Sequence, residues 1–141
     1  MGDPDTVPTD GDLPSGDSAV SEPWGGASVR LSMAGGVMLV EVEGELEASV
    51  VRRWRELLNS AITGGATGVA IDLRGCRAID TGCLSVLVAA SGKLEERGDA
   101  GIHLVTTPGS PLARRVQATG AKRLDGYSSA GEALRSLRDP P

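Results

Sequence analysis

Val69-Ala70-Ile71-Asp72-Leu73-Arg74-Gly75-Cys76-Arg77-Ala78-Ile79-Asp80-Thr81-Gly82-Cys83-Leu84 is the stretch on which the fold turns. Val69 to Leu73 is a short apolar run with β-branched residues, which predicts a buried strand. A polar turn follows, and Leu84, Leu87, Val88 and Leu94 then recur at helical spacing. Gly98 and Gly101 close that helix, and Ile102-His103-Leu104-Val105 predicts the next strand. Strand, helix and strand in this length make a parallel βαβ unit, whose crossover is almost always right-handed. Asp80-Thr81 lies where the connection runs into the helix. The first amides of a helix lack partners and carry the positive end of its dipole. Either Asp80 or Thr81 can accept a hydrogen bond there as N-cap. Two readings stay open at this point: a plain helix cap, or an exposed hydroxyl placed where a phosphate is tolerated.

Upstream, Val29, Leu31 and Met33 alternate with Ser28, Arg30 and Ser32, the pattern of a half-buried strand. Ala34-Gly35-Gly36 turns the chain, and Val37 to Glu43 returns as the second arm of an antiparallel hairpin. Gly44-Glu45-Leu46-Glu47 ends it. Glu41, Glu43, Glu45 and Glu47 share one side of this strand and its end, and read as a solvated edge. Val50, Val51, Trp54, Leu57, Leu58, Ala61 and Ile62 mark one face of a helix stopped by Gly64-Gly65. Downstream, Ser110 as N-cap and Pro111 at the first helical position open a third helix, with Leu112 and Val116 inward and Thr119-Gly120 at its end. Leu124 opens a short edge strand. Ser128 or Ser129 caps a final helix carrying Ala130, Ala133, Leu134 and Leu137.

One domain is expected for 141 residues. With two Trp, one Tyr and no Phe, its core must be built from Val, Leu, Ile and Ala. Residues 1–27 are rich in Asp, Gly, Pro and Ser and bury too little to offset their ordering entropy, so a disordered acidic tail is expected there. Trp24 is its exception, able to pack on the domain edge. Six of the 19 acidic residues lie in this tail, leaving 13 against all 14 basic ones, within a net charge of −5. An acidic tail on a nearly neutral body argues against nucleic-acid binding, which needs a concentrated basic face. No apolar run is long enough to span a membrane, and residues 1–27 lack the pattern of a signal peptide, so a cytoplasmic protein is expected.

Enzyme chemistry finds no constellation. Gly64-Gly65-Ala66-Thr67-Gly68 precedes a strand and lacks the Gly-Lys-Ser/Thr of a phosphate-binding loop. The single histidine, His103, sits in a strand with no motif around it, and no Gly-x-Ser-x-Gly elbow exists. Cys76 and Cys83 have no zinc spacing and read as small buried hydrophobes, so neither metal nor cofactor is expected.

Four short stretches carry a resemblance: Gly44-Glu45-Leu46-Glu47, Ile71-Asp72-Leu73, Ile79-Asp80-Thr81-Gly82-Cys83-Leu84 and Thr119-Gly120-Ala121. In this order and spacing, residues 28–138 resemble the STAS domain of bacterial anti-sigma factor antagonists. The resemblance implies an α/β fold with a mixed four- to five-stranded sheet and about four helices, an N-terminal antiparallel hairpin followed by βαβ units. It also implies a non-enzymatic regulator that binds an anti-sigma factor, itself a Ser/Thr protein kinase, and so releases a sigma factor. Phosphorylation would switch it off, and a phosphatase would restore it. Thr81 occupies the acceptor slot. Gly44, Glu45, Glu47, Asp80, Thr81, Gly82 and Cys83 would belong to the partner surface, with the loop Gly75–Ile79 beside them. The chain departs from the Asp-Ser-Ser-Gly-Leu pattern at Thr81, Gly82 and Cys83, and from Gly-Glu-Leu-Asp at Glu47. The alternative is an unphosphorylated STAS module serving as scaffold or small-ligand sensor. A monomer or weak dimer is expected, because no long apolar stripe is left over once the core is assigned.

Overall fold

The structure is a computed structural model that describes residues 20–99, 101–119 and 125–127. Its strands are β1 (Val20–Trp24), β2 (Ala27–Ala34), β3 (Val37–Leu46), β4 (Gly68–Ile79), β5 (Ile102–Val105) and β6 (Asp125–Tyr127). Its helices are α1 (Val51–Thr63), α2 (Thr81–Glu96) and α3 (Pro111–Gln117). The six strands lie in one sheet in sequence order. β1, β2 and β3 pair antiparallel, and β3 through β6 pair parallel. The α/β architecture with a leading hairpin and a central βαβ unit is the one expected.

Two differences concern its extent. The sheet begins at Val20, inside the stretch read as a disordered tail, and this supplies a strand beyond the four to five expected. Composition misses β1 because a single side chain anchors it. Trp24 is buried, its ring meets that of Trp54 edge-on at 6.1 Å between centroids, and the Arg53 guanidinium lies 4.6 Å over it. The expected final helix beginning at Ser128 or Ser129, and Leu124, lie outside the described residues.

β4 also runs on where a polar turn was expected. Arg74 to Ile79 stay in the sheet because the second half of β3 offers a partner, pairing Glu43 with Gly75, Glu45 with Ala78 and Leu46 with Ile79. Two register shifts, between Glu41 and Glu43 and between Gly44 and Glu45, let the strands bend there. Gly44 makes the bend possible: its φ is +94°, and a Cβ would stand 2.3 Å from the Gly26 carbonyl oxygen. β3 is thus an interior strand, not the solvated edge read from its four glutamates. Glu41 is half-buried, with its pKa raised chiefly by burial against the lowering effect of Arg30.

The principal core joins α1 and α2 to one face of the sheet. Trp54, Leu58, Leu87 and Leu94 pack with Val40, Val42, Ile71, Leu73, Ile102 and Leu104. Alternation along the strands sends Leu39, Ala70, Asp72, His103 and Val105 to the opposite face, where they too are buried. The Asp72 carboxylate is paired in this setting with Arg74, whose guanidinium lies 2.7 Å from its Oδ2. Val88 and Met33, both read as inward, are exposed. Along the first half of α2 the exposed positions Thr81, Ser85, Val88 and Ala89 are small or apolar, so spacing alone does not mark which edge of the stripe faces out. Met33 lies near the β2–β3 turn, past the area that the helices cover.

Candidate phosphoacceptor at the start of helix α2

The end of β4 leads straight into α2, and the first turn of that helix holds the motif. Asp80, not Thr81, is the N-cap: its Oδ2 accepts the Gly82 amide at 2.7 Å, while its own amide donates to Leu46 O at 2.8 Å. The sheet pairing of Leu46 with Ile79 therefore brings Gly44–Glu47 beside Ile79–Cys83. Thr81 is the first helical residue, and its side chain is exposed.

The other expected surface residues divide. Glu45 is half-buried and faces Arg77, with 3.7 Å between Oε2 and Nη2. Glu47 is exposed, but its carboxylate turns to the β1–β2 turn, where Oε1 accepts the Gly26 amide at 3.3 Å. Gly44 and Gly82 are partly exposed, and each is closely packed by neighbouring atoms. Cys83 bears out its reading as a small buried hydrophobe and corrects its place in the expected partner surface. It is fully buried, and its thiol lies 3.8 Å from Glu47 O while its own carbonyl accepts the Trp54 indole N–H at 3.1 Å. It fastens the site to the core from behind. Burial, with smaller contributions from Asp80 and Cys76, pushes its thiol up to about 11.

Arg115 is the residue that sequence reasoning missed. It reaches from α3, one nitrogen donating to Ile79 O and Nη2 donating to Thr81 Oγ1 at 2.8 Å. No local signal marks it: it is one of two successive arginines on the outer side of α3, 34 positions from Thr81. Beyond Thr81, a shallow groove is lined by Leu84, Ser85, Val88, Ala89 and Thr119, which brings Thr119 to the site. A second groove, between α2 and α1, is lined by Arg55, Asn59, Ser85, Ala89 and Lys93 among others. The exposed ridge of α2 between them is short-chained and uncharged. A hydroxyl at the head of such a ridge is accessible to a modifying enzyme, and a phosphate added there would change the charge of the whole face. Among the described residues, no cluster of His, Cys, Asp and Glu could hold a metal ion, and no helix is long and apolar enough to cross a membrane.

This fold and site define a STAS domain. The family model described as "Mlab, STAS domain" matches residues 29–126, and the chain belongs to the STAS domain family. Among solved structures, it is similar to an anti-sigma factor antagonist from Mycobacterium paratuberculosis, at 22% identity and TM-score 0.67, over 90% of this chain and 100% of that one. It is similar to the anti-sigma factor antagonist SpoIIAA in its unphosphorylated form, at 23% identity and TM-score 0.65, over 78% of this chain and 96% of that one. The phosphorylated form of SpoIIAA, the Bacillus cell fate determinant, aligns at 20% identity and TM-score 0.61, over 78% and 99% of the two chains. No curated protein sequence matches this chain.

Proposed function

We propose that this chain is a bacterial anti-sigma factor antagonist: it binds an anti-sigma factor that is also a Ser/Thr protein kinase, frees a sigma factor, and is switched off by phosphorylation of Thr81. A phosphatase reverses the switch. The protein acts in the cytoplasm by binding and not by catalysis, as a monomer or weak dimer. The observation that carries this reading is the exposed Thr81 hydroxyl on the first turn of α2, immediately after the Asp80 cap. Gly44, Glu45, Glu47, Asp80, Thr81 and Gly82 form the partner surface around it, continued along the α2 ridge. Similarity to SpoIIAA, solved with and without phosphate, supports the role. A dianion set into such an interface weakens binding by its desolvation cost and by repulsion of facing carboxylates.

The second reading is a STAS scaffold or small-ligand sensor that is never phosphorylated. Gly82 and Cys83 favour it, since they replace the second Ser and the Gly of the acceptor motif. Intact mass after incubation with candidate anti-sigma kinases and ATP separates the two. One phosphate on the wild type and none on Thr81→Ala supports the switch. A phosphate that survives the substitution moves the acceptor elsewhere, and no phosphate from an active kinase leaves the scaffold.

A further inference from the structure

Arg115 is held in place before any phosphate arrives. Its contact with Ile79 O anchors the guanidinium to the last residue of β4, and Nη2 is then left against Thr81 Oγ1 at 2.8 Å. A guanidinium carries five donors in one plane and a full charge, yet a threonine hydroxyl offers it a single neutral acceptor. The nearest capping carboxylate, Asp80, is turned to the Gly82 amide. The ion pairs formed among the described residues engage Arg30, Arg53, Arg74, Arg77 and Arg97, and Arg115 is in none of them. A cation fixed beside a hydroxyl and paired with no anion among the described residues is complementary to a phosphate on that hydroxyl.

We infer that Arg115 is the phosphate-receiving residue of this chain, pairing with phosphothreonine 81 and tying α3 to the start of α2. The inference rests on the reading of Thr81 as phosphoacceptor. In the covalent step, a kinase transfers the γ-phosphoryl of ATP. The Thr81 Oγ1–P bond forms, the P–O bond to ADP breaks, and the hydroxyl proton passes to the kinase's base. The phosphate then takes over the Nη2 donor that the hydroxyl already holds. Before modification the Arg115 guanidinium stands beside a neutral hydroxyl; afterwards roughly two negative charges are added there, of which Arg115 offsets one. Arg115 is a positioning and charge-compensating residue, not a catalytic one.

The test uses the full chain with phosphothreonine placed at position 81 during translation, so that it depends on no kinase. A 31P NMR pH titration reads the second ionisation of the phosphate, ordinarily near about 6. In the wild type it is expected about half a unit lower than in a short phosphothreonine peptide. Arg115→Gln should return it to the peptide value, and Arg115→Lys, which keeps the charge but not the fork, should fall between. Coincident titrations for folded wild type and Arg115→Gln would overturn the inference. If Arg115→Gln does not fold, the wild type at low and high salt carries the test: a shift that collapses in about 1 M salt supports an exposed ion pair, and an unchanged one refutes it. Kinase incubation followed by intact mass is read separately, so the loss of the proposed function and the loss of this pairing are told apart.

Discussion

The Asp80 carboxylate and the Gly82 backbone are locked together: Oδ2 accepts the amide at 2.7 Å, and a Cβ on Gly82 would stand 2.9 Å from that same oxygen. The cap and the glycine are one device, which holds the turn carrying Thr81. Gly→Ala within a helix ordinarily stabilises by about 1 kcal/mol, and losing an Asp N-cap costs about 1 kcal/mol. Gly82→Ala should therefore yield about 1 kcal/mol less stability in wild type than in an Asp80→Ala background. A double-mutant cycle by urea denaturation measures that coupling. Additive effects would show that the cap and the glycine act independently.

Gly44 should tolerate no side chain. At φ +94°, with the Gly26 carbonyl oxygen 2.3 Å from the position of a Cβ, Gly44→Ala combines left-handed strain with a backbone clash. A loss of at least about 2 kcal/mol is expected, read as a lower denaturation midpoint at unchanged slope. A loss under about 0.5 kcal/mol would contradict the close approach of β2 and β3.

Trp24 should behave as core although it stands in the acidic leading segment. Its ring is buried against Trp54 and under Arg53, and its indole N–H donates to Glu22 at 3.3 Å. Trp24→Ala is expected to cost about 3 kcal/mol in chemical denaturation. A near-neutral outcome would mean that β1 detaches without consequence.

Cys83 should be inert in the folded protein. With its thiol at about 11, on the order of one in a thousand is ionised at pH 8, and the side chain is fully buried. Folding raises this pKa above the unfolded value near 9 and so favours the neutral thiol. The associated stability is fully present below pH 9 and is lost as pH rises towards 11. An aromatic disulfide reagent at pH 8 should label Cys83 only at the rate of unfolding, with Cys83→Ser as control. Rapid labelling under native conditions would contradict its placement.

Much of this molecule is legible in its residues one element at a time. The alternation of β2, the apolar stripe of α1, the Ser110-Pro111 start of α3 and the position of Thr81 all follow from local rules. Periodicity and capping depend on neighbours a few residues away, and those are written side by side in the chain. What the chain does not write is which elements meet. β1 exists because Trp54 and Arg53 build a place for Trp24. β4 continues to Ile79 because bulged β3 offers it a partner. Cys83 is buried because its turn faces Glu47 and Trp54, and Val88 is exposed because it falls on the far side of a helix whose first half carries no charge. The pairing of Arg115 with Thr81 belongs to the same class. The residues alone place the Thr81 hydroxyl at the start of α2; only tertiary packing decided that the Arg115 guanidinium lies beside it, because contacts between elements depend on register and docking that no local pattern encodes.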